Sequence, residues 1–492
     1  DELRERLLAG YRHILIDEYQ DIDRRQFDLI SALAGRTLAD GERKLSVLAV
    51  GDDDQNIYSF RGSSTDFIRR FQDDYQAKVE FLVDNHRSTA NIIAAANSVI
   101  AGNAQRLKSA HPIRIDARRR REPPGGRWQA LDPLAAGQVQ VLAVPPDAIA
   151  QAVLVIAEVE RLAALDARAD WSDFALLARN RATLEPLRAW CESAGIACAF
   201  CPGEAAGAPR LHQVREGWEL VELLRARANR LLRSGTLGRW FAARHRVGPA
   251  SNPWLRLLRQ SIDEIEASWG DSPVPASLAC EALYEFGNEA RAAERGRLTL
   301  STVHGAKGRE FRHVVMLDGG DWRRADEEER RLYYVGMTRA RENLVLCQAS
   351  RDGNPFTPAL AAPLVRRSAL PESVERPPAL ALRYCTLGLR EVDIGFAGRF
   401  DAAAPVHRAI AALKVGDRLL LAGRRELRNS EGYCVGRLAR AVELPVGEVL
   451  DVRVDALVRR TRQQSEARFQ EALRSDAWWV VLATLRIAAA RC

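Results

Sequence analysis

His13-Ile-Leu-Ile-Asp-Glu-Tyr-Gln-Asp21 is the stretch whose reading decides the fold class. A run of four residues, three of them aliphatic, ends in two acids and then in a polar, acidic turn. A buried parallel strand delivers carboxylates in this way to the carboxyl edge of an α/β sheet, where nucleotides bind. In a nucleoside triphosphatase the first acid, Asp17, holds Mg²⁺, usually through water, and the second, Glu18, polarises the attacking water. Apolar runs ending in Asp-Glu also close ordinary strands, so the flanking sequence has to decide between the two readings.

A second apolar run, Leu45-Ser-Val-Leu-Ala-Val-Gly51, leads into Asp52-Asp-Asp-Gln-Asn-Ile-Tyr-Ser-Phe-Arg-Gly62, which places further acids and an amide at a strand end. Phe81-Leu-Val-Asp-Asn-His-Arg-Ser-Thr89 follows, with Ser88 as the expected N-cap of a helix whose apolar face is Ile92, Ile93, Ala96, Val99 and Ile100. Far downstream, Leu298-Thr-Leu-Ser-Thr-Val-His-Gly-Ala-Lys-Gly-Arg-Glu-Phe311 leads into the strand His313–Asp318. Glu327-Glu-Glu-Arg-Arg-Leu-Tyr-Tyr-Val-Gly-Met-Thr-Arg-Ala-Arg341 then precedes the strand Asn343–Cys347. Charged segments placed repeatedly beside buried strands suit a two-lobed motor, in which one lobe holds a nucleotide and the other supplies the cations that sense it.

The order DEYQD, GDDDQNIYSFRG, NHRST, TVHGAKGREF and RRLYYVGMTRARE resembles the UvrD/Rep/PcrA group of superfamily 1 DNA helicases, in boxes II to VI, over roughly residues 1–360. The resemblance implies RecA-like P-loop NTPase lobes, ATP and Mg²⁺ as cofactors, and single-stranded and duplex DNA as partners. It makes Asp17 the Mg²⁺ ligand, Glu18 the water-activating acid and Gln55 the γ-phosphate sensor. Arg87 and Arg339 become arginine fingers, a role worth ~10³–10⁵ in rate in GTPases. Glu310, with Gly308 and His86, falls at the nucleotide. Tyr58 and Phe60 fall where single-stranded bases stack, and His304 and Lys307 where the strand is touched. Tyr333 and Tyr334 read as packing residues.

Two positions depart from the family pattern: His86 stands where a tyrosine usually stacks on adenine, and Phe60 where a tryptophan is usual. A larger departure is that G-x-x-x-x-G-K-[ST], the loop whose amides and lysine cradle phosphates, occurs nowhere, and Gly305-Ala-Lys-Gly308 is too short to serve. The chain also begins at Asp1 rather than Met. The expectation is therefore the C-terminal portion of a longer helicase, with the Walker A region upstream as an intramolecular partner, and weak hydrolysis by the chain alone. A RecQ-type fusion is one candidate parent.

The 492 residues suggest about three domains, and an apolar fraction of 47% supports large cores. The balance of 72 Lys+Arg against 65 Asp+Glu, +7, is a weak signal for a phosphate-backbone partner. The basic run Arg118–Arg121 reads first as a solvated loop. Cys198-x-x-Cys201, with Cys191 nearby, lacks a second pair at zinc-like spacing, and reduced thiols in a bacterial cytosol fit better. The apolar stretch Trp478–Ala490 is too short for a membrane span and contains Arg486.

The expected organisation is a partial first lobe (1A, motifs II and III) over residues 1–82 and the start of the second lobe (2A, motif IV) over 83–204. The latter carries strands near Val139–Val144 and Phe174–Arg179, a helix Arg181–Ala194 and a returning strand Gly195–Cys198. Residues 205–295 read as a helical 2B-like insertion containing Trp218, Trp240, Trp254 and Trp269, and residues 296–365 as the completion of the second lobe with motifs V and VI. After a Pro-containing linker near 371–378, residues 366–492 read as a small β-rich module with strands around Arg383–Leu389, Arg418–Ala422, Gly432–Ala439 and Val449–Leu457, and then a helix from Arg462 to the end. Trp478 and Trp479 read as core, with a protein-binding patch as the alternative. The implied function is ATP-dependent 3′→5′ DNA helicase or single-strand translocase activity in repair, replication or recombination. The alternative is a non-catalytic module that binds single-stranded DNA or protein. A nuclease of the RecB kind finds no carboxylate-and-lysine constellation in residues 366–492.

Overall fold

The computed structural model describes residues 10–38, 44–200, 209–245, 252–270, 272–289, 296–322, 324–349, 354–358, 364–367 and 375–489, together with Arg4, Leu8 and Leu360. The chain divides into two compact units, one formed by residues 1–200 and 295–376, the other by residues 201–294 and 377–492. Residues 371–374 of the expected linker lie outside the described residues, as does Cys201.

In the first unit, β1 (His13–Ile16) pairs in parallel with β2 (Ser46–Ala49), His13 opposite Ser46 and Ile16 opposite Ala49. The helix Arg24–Ala34 between them starts at a capping box of Asp23 and Gln26 and stops at Gly35, whose φ of 71° is the left-handed cap that glycine takes without strain. The sequence suggested a buried strand at β1, but Leu15 is 75% exposed and Leu48 58%. The cause is that only one face of this two-stranded sheet is covered: Ile16 and Ala49 pack on Tyr19, Ile22, Phe27 and Phe67, and the alternate residues face outward.

The larger part of the unit is a seven-stranded sheet. Its strands are β3 (Val139–Ala143), β4 (Phe174–Ala178), β5 (Cys198–Phe200), β6 (Leu298–Thr302), β7 (Phe311–Met316), β8 (Ala340–Gln348) and β9 (Leu364–Arg367). The order across the sheet is β9-β3-β8-β7-β4-β6-β5, and every neighbouring pair is parallel. A parallel sheet covered on both faces requires continuous apolar strands. Phe174-Ala-Leu-Leu-Ala178 meets that requirement, being buried at every residue. The fold is thus mixed α/β around a large parallel sheet.

The helix Ala90–Ile100 buries Ile92, Ile93, Ala96, Val99 and Ile100 as its spacing implies. Its N-cap is Thr89, not Ser88, because the Ser88 hydroxyl is already committed, donating to Ala340 O at 2.7 Å. One polar group sits in the middle of this core. His313 on β7 is fully buried between Trp128 and Phe174, and one ring nitrogen meets the Asn343 amide at 3.1 Å.

The second unit joins the two segments that the sequence suggested were separate, a helical one and a β-rich one. Helices Arg215–Arg225, Thr236–Arg244, Pro253–Trp269 and Ala276–Glu289 pack into the same core as a six-stranded antiparallel sheet. Its strands are β10 (Leu382–Thr386), β11 (Arg418–Ala422), β12 (Glu426–Arg428), β13 (Cys434–Arg437), β14 (Gly447–Thr461) and β15 (Ala477–Ala489), in the order β10-β15-β14-β11-β12-β13. The helix expected from Arg462 to the end is replaced by β15. Trp478-Trp-Val-Val-Leu-Ala-Thr-Leu-Arg-Ile487 is rich in aromatic and β-branched residues, and β14 offers it a full-length antiparallel partner, from Thr461 opposite Ala477 to Gly447 opposite Ala489. Trp478 is buried, donates to Ile394 O at 2.7 Å and lies on Gly398, where a Cβ would come within 2.8 Å of the indole. Trp479 packs edge-on to Trp218 at 5.4 Å, with the Arg459 guanidinium 5.1 Å from both rings.

Candidate active site

The acids at the end of β1 are held by their own backbone and by one glutamine. Asp17 Oδ1 accepts from the Glu18 amide at 2.8 Å, and Glu18 itself is left-handed, with φ 50° and ψ 40°. That conformation costs a non-glycine residue of order 1 kcal/mol and concentrates at functional turns. It turns the chain so that Gln20 enters the interior, fully buried, with its amide NH2 donating to the Glu18 carboxylate and its oxygen accepting from the Asp52 amide at 2.9 Å. The β1 and β2 ends are thereby stitched together. Gly51 is needed at this point, since a Cβ there would meet Gln20 Oε1 at 2.7 Å.

The cations come from the far end of the chain. Lys307 Nζ donates to the Asp21 carboxylate and to Gln55 O at 2.8 Å, lies 3.7 Å from Glu18 Oε2 and sits 5.1 Å from the centre of the Tyr58 ring. The turn that carries it continues through Gly308, at φ 79°. Burial pushes the Asp21 carboxyl up, and the Lys307 hydrogen bond opposes the shift. Arg339, 2% exposed, donates to Val335 O at 3.0 Å, to Arg309 O at 3.3 Å and to Gln55 Oε1 at 3.3 Å. Burial, and then the like charge of Arg87, push the Arg339 guanidinium down to about 10. Arg87 pairs with Glu310 and donates to Thr338 O at 3.2 Å, while its Nε is buried with no hydrogen-bond partner among the described residues.

Most of the residues singled out in the sequence therefore converge within the first unit. Asp17, Glu18, Gln55, Lys307 and Arg339 form one chain of contacts, and Arg87 and Glu310 lie beside it. His86 stands somewhat apart, with its ring mostly exposed and 3.5 Å from Asp116. Tyr58, Phe60 and His304 form a cluster of rings with centroids 5.6 to 6.1 Å apart, and Phe60 is 66% exposed. Tyr333 and Tyr334 are buried in the core. Within the basic run, Arg119 has a structural partner, donating to His86 O at 2.9 Å and Ser88 O at 3.2 Å.

Reading the sequence missed four participants. Gln20 and Asp21 were seen only as a polar turn. Arg106 and Lys108 were not singled out at all, yet they and the Leu107 amide engage the whole Asp52-Asp-Asp54 triplet. Arg106 is bidentate on Asp54 at 2.8 and 2.7 Å, the Leu107 amide donates to Asp53 at 2.8 Å, and Lys108 is 2.6 Å from Asp52. The three carboxylates lie close enough together to hold a cation, and each of them is already engaged by one of these donors. The only available signal was indirect: three adjacent acids demand compensation, and Arg106-Leu-Lys108 follows the next helix.

The UvrD/REP helicase N-terminal domain family matches residues 1–76, and the UvrD-like helicase C-terminal domain family matches residues 297–347. DNA helicase II of Haemophilus influenzae is 44% identical over 103 residues, 21% of this chain and 13% of that protein. ATP-dependent DNA helicase UvrD1 of Mycobacterium tuberculosis is 47% identical over 97 residues, 20% of this chain and 13% of that protein. ATP-dependent DNA helicase UvrD2 of Mycobacterium bovis is 29% identical over 450 residues, 84% of this chain and 58% of that protein. The chain thus spans between 13% and 58% of the length of these relatives. One helicase family falls on the stretch that carries Asp17, Glu18 and Gln55, and the other on the stretch that carries Lys307 and Arg339, so the chain is similar to the UvrD/Rep/PcrA-like helicases in both stretches that build this site.

Proposed function

We propose that these residues form the hydrolytic cleft of an ATP-dependent DNA helicase or translocase that moves 3′→5′ along single-stranded DNA. The observation that carries this reading is the meeting at Gln55 of the acid-bearing and cation-bearing stretches: Arg339 donates to the Gln55 amide oxygen at 3.3 Å and Lys307 to its backbone oxygen at 2.8 Å. The residues present fit ATP and Mg²⁺. Asp17 is an exposed hard-oxygen donor suited to Mg²⁺. The unpartnered Arg87 Nε and the positive pair Arg87 and Arg339 suit an anionic phosphate. Bound Mg²⁺ would neutralise phosphate charge.

In this scheme Glu18 accepts a proton from the attacking water. Its left-handed backbone and its hydrogen bond from Gln20 fix where the carboxylate stands. Arg87 and Arg339 exchange present partners, Glu310 and Gln55, for the charge that develops on the phosphate. Since Lys307 touches Gln55, Asp21 and the Tyr58 ring, a shift at Gln55 is felt at the aromatic cluster, where exposed Phe60 stacks on a base of any sequence.

The test is single-strand-stimulated ATP hydrolysis by the whole protein, with Glu18→Gln as control. Loss of about 10²-fold or more in turnover with nucleotide binding kept is expected of a lost general base. Unchanged turnover in Glu18→Gln refutes the assignment. No hydrolysis by the whole protein, with single-strand binding intact, establishes instead a non-catalytic DNA-binding module.

A further inference from the structure

Gln55 is an amide whose two ends must face opposite ways for the contacts above to hold. Its NH2 group donates to Asp52 Oδ2 at 2.9 Å, and its oxygen accepts from Arg339 at 3.3 Å. An amide flipped by half a turn would present NH2 to a guanidinium and oxygen to a carboxylate, two like-polarity contacts. The orientation of Gln55 is therefore set by whatever holds the Asp52 carboxylate. Asp52 stands beside Asp53 and Asp54 and would be driven apart from them if nothing answered its charge. Two groups answer it: the Asp54 amide donates to Asp52 Oδ1 at 3.1 Å, and Lys108 Nζ lies 2.6 Å from the same oxygen and 3.7 Å from Asp54 Oδ2, with the lysine side chain 12% exposed; of the two, Lys108 alone carries a charge. Arg106 and the Leu107 amide hold Asp54 and Asp53, so the short contact of Lys108 goes to Asp52.

We propose that Lys108 is a positioning residue for hydrolysis: by fixing Asp52 it orients the Gln55 amide, which presents its oxygen to Arg339. The relay runs Lys108, Asp52, Gln55, Arg339. The proposal rests on the reading of Gln55 and Arg339 as nucleotide-facing residues. It belongs to the class of outer contacts that tune an inner group and whose loss costs about 10- to 100-fold.

The experiment uses the whole protein, labelled with ¹⁵N at glutamine side chains, as wild type, Lys108→Met, Lys108→Arg and Asp52→Asn. The Gln55 side-chain NH2 signal is assigned by its disappearance in Gln55→Glu. In Lys108→Met that signal shifts, kcat for single-strand-stimulated hydrolysis falls about 10- to 100-fold, and KM for ATP stays within about twofold. Lys108→Arg, which keeps the charge, retains the wild-type signal and most of kcat. Asp52→Asn breaks the same link from the other side and moves the signal as Lys108→Met does, which serves if the latter fails to fold. An unmoved Gln55 signal in a folded Lys108→Met or Asp52→Asn protein overturns the relay, as does equal loss of kcat in Lys108→Met and Lys108→Arg. If the whole protein hydrolyses no ATP, the nucleotide reading fails by itself, and the amide signal still decides whether Lys108 orients Gln55.

Discussion

His313 should make the first unit acid-sensitive, and the size of the effect follows from its surroundings. The ring is buried against Trp128 and Phe174, and burial pushes its pKa down from 6.5 to about 4, with Glu342 pulling the other way and Arg127 adding to the depression. In the unfolded chain the imidazole takes up a proton near 6.5, whereas in the folded chain it resists until about 4. The stability held in the neutral buried ring is therefore complete above pH 6.5 and is lost as the pH falls from 6.5 towards 4, the unfolded state binding the proton first. Linkage gives a loss of about 2 kcal/mol between pH 7 and pH 5 and about 3 kcal/mol by pH 4. The perturbation that isolates this contribution is His313→Phe. It cannot titrate, and its own cost, a lost bond to Asn343, is the same at every pH. The assay is urea unfolding at several pH values between 5 and 7.5, read from tryptophan fluorescence, since Trp128 lies 5.0 Å from the His313 ring. Carboxylates contribute equally to both proteins, so the difference in slope belongs to His313. Parallel curves for wild type and His313→Phe would refute the buried-neutral histidine.

Arg106→Met should destabilise the first unit by about 3–5 kcal/mol, because it leaves a carboxylate in a buried site without its partner; the double change Arg106→Met with Asp54→Leu should recover most of that in the same urea titration. Gly398→Ala in the second unit should cost about 1–3 kcal/mol by overpacking the Trp478 indole, and this would be read as a lowered melting temperature. Phe60→Ala should weaken single-strand binding by about 1–3 kcal/mol, equally for different sequences, in fluorescence-anisotropy titrations. A sequence-dependent loss there would mean that Phe60 reads bases instead of stacking on them.

The parts that could be read in the sequence are those where chemistry requires a residue type at a fixed place. Asp17 and Glu18 follow a strand because a carboxylate must leave the sheet at its edge. Phe174–Ala178 is continuous apolar sequence because both faces of β4 are covered. The helical apolar spacing of Ile92, Val99 and Ile100 likewise fixed which side they bury. What escaped were features decided by partners distant in sequence. Trp478–Ile487 is apolar enough for helix or strand, and only the 15-residue β14 decides for strand. Ser88 does not cap the helix because Ala340, 252 residues away, claims its hydroxyl, and Thr89 stands at the N-cap position without a side-chain capping bond. Lys108 is an unremarked lysine until the fold brings Asp52 to it. The exposed faces of Leu15 and Leu48 could not be foreseen because a strand's sequence does not say how many neighbours cover it.

The second unit is assembled from two stretches of chain with residues 295–376 of the first unit between them, and β15 is an interior strand: it lies between β10 and β14 and contributes Trp478, Val481, Leu485 and Ile487 to the core. Order of synthesis then matters. Helices between residues 209 and 289 leave the ribosome with apolar faces whose cover is not made until residue 487 has been translated. A stop before codon 477 removes the strand that joins β10 to β14 and leaves those helix faces without the cover that β15 supplies. A nascent chain arrested near residue 470 should therefore expose the helices of this unit to protease, and release of the last strand should protect them in a single step.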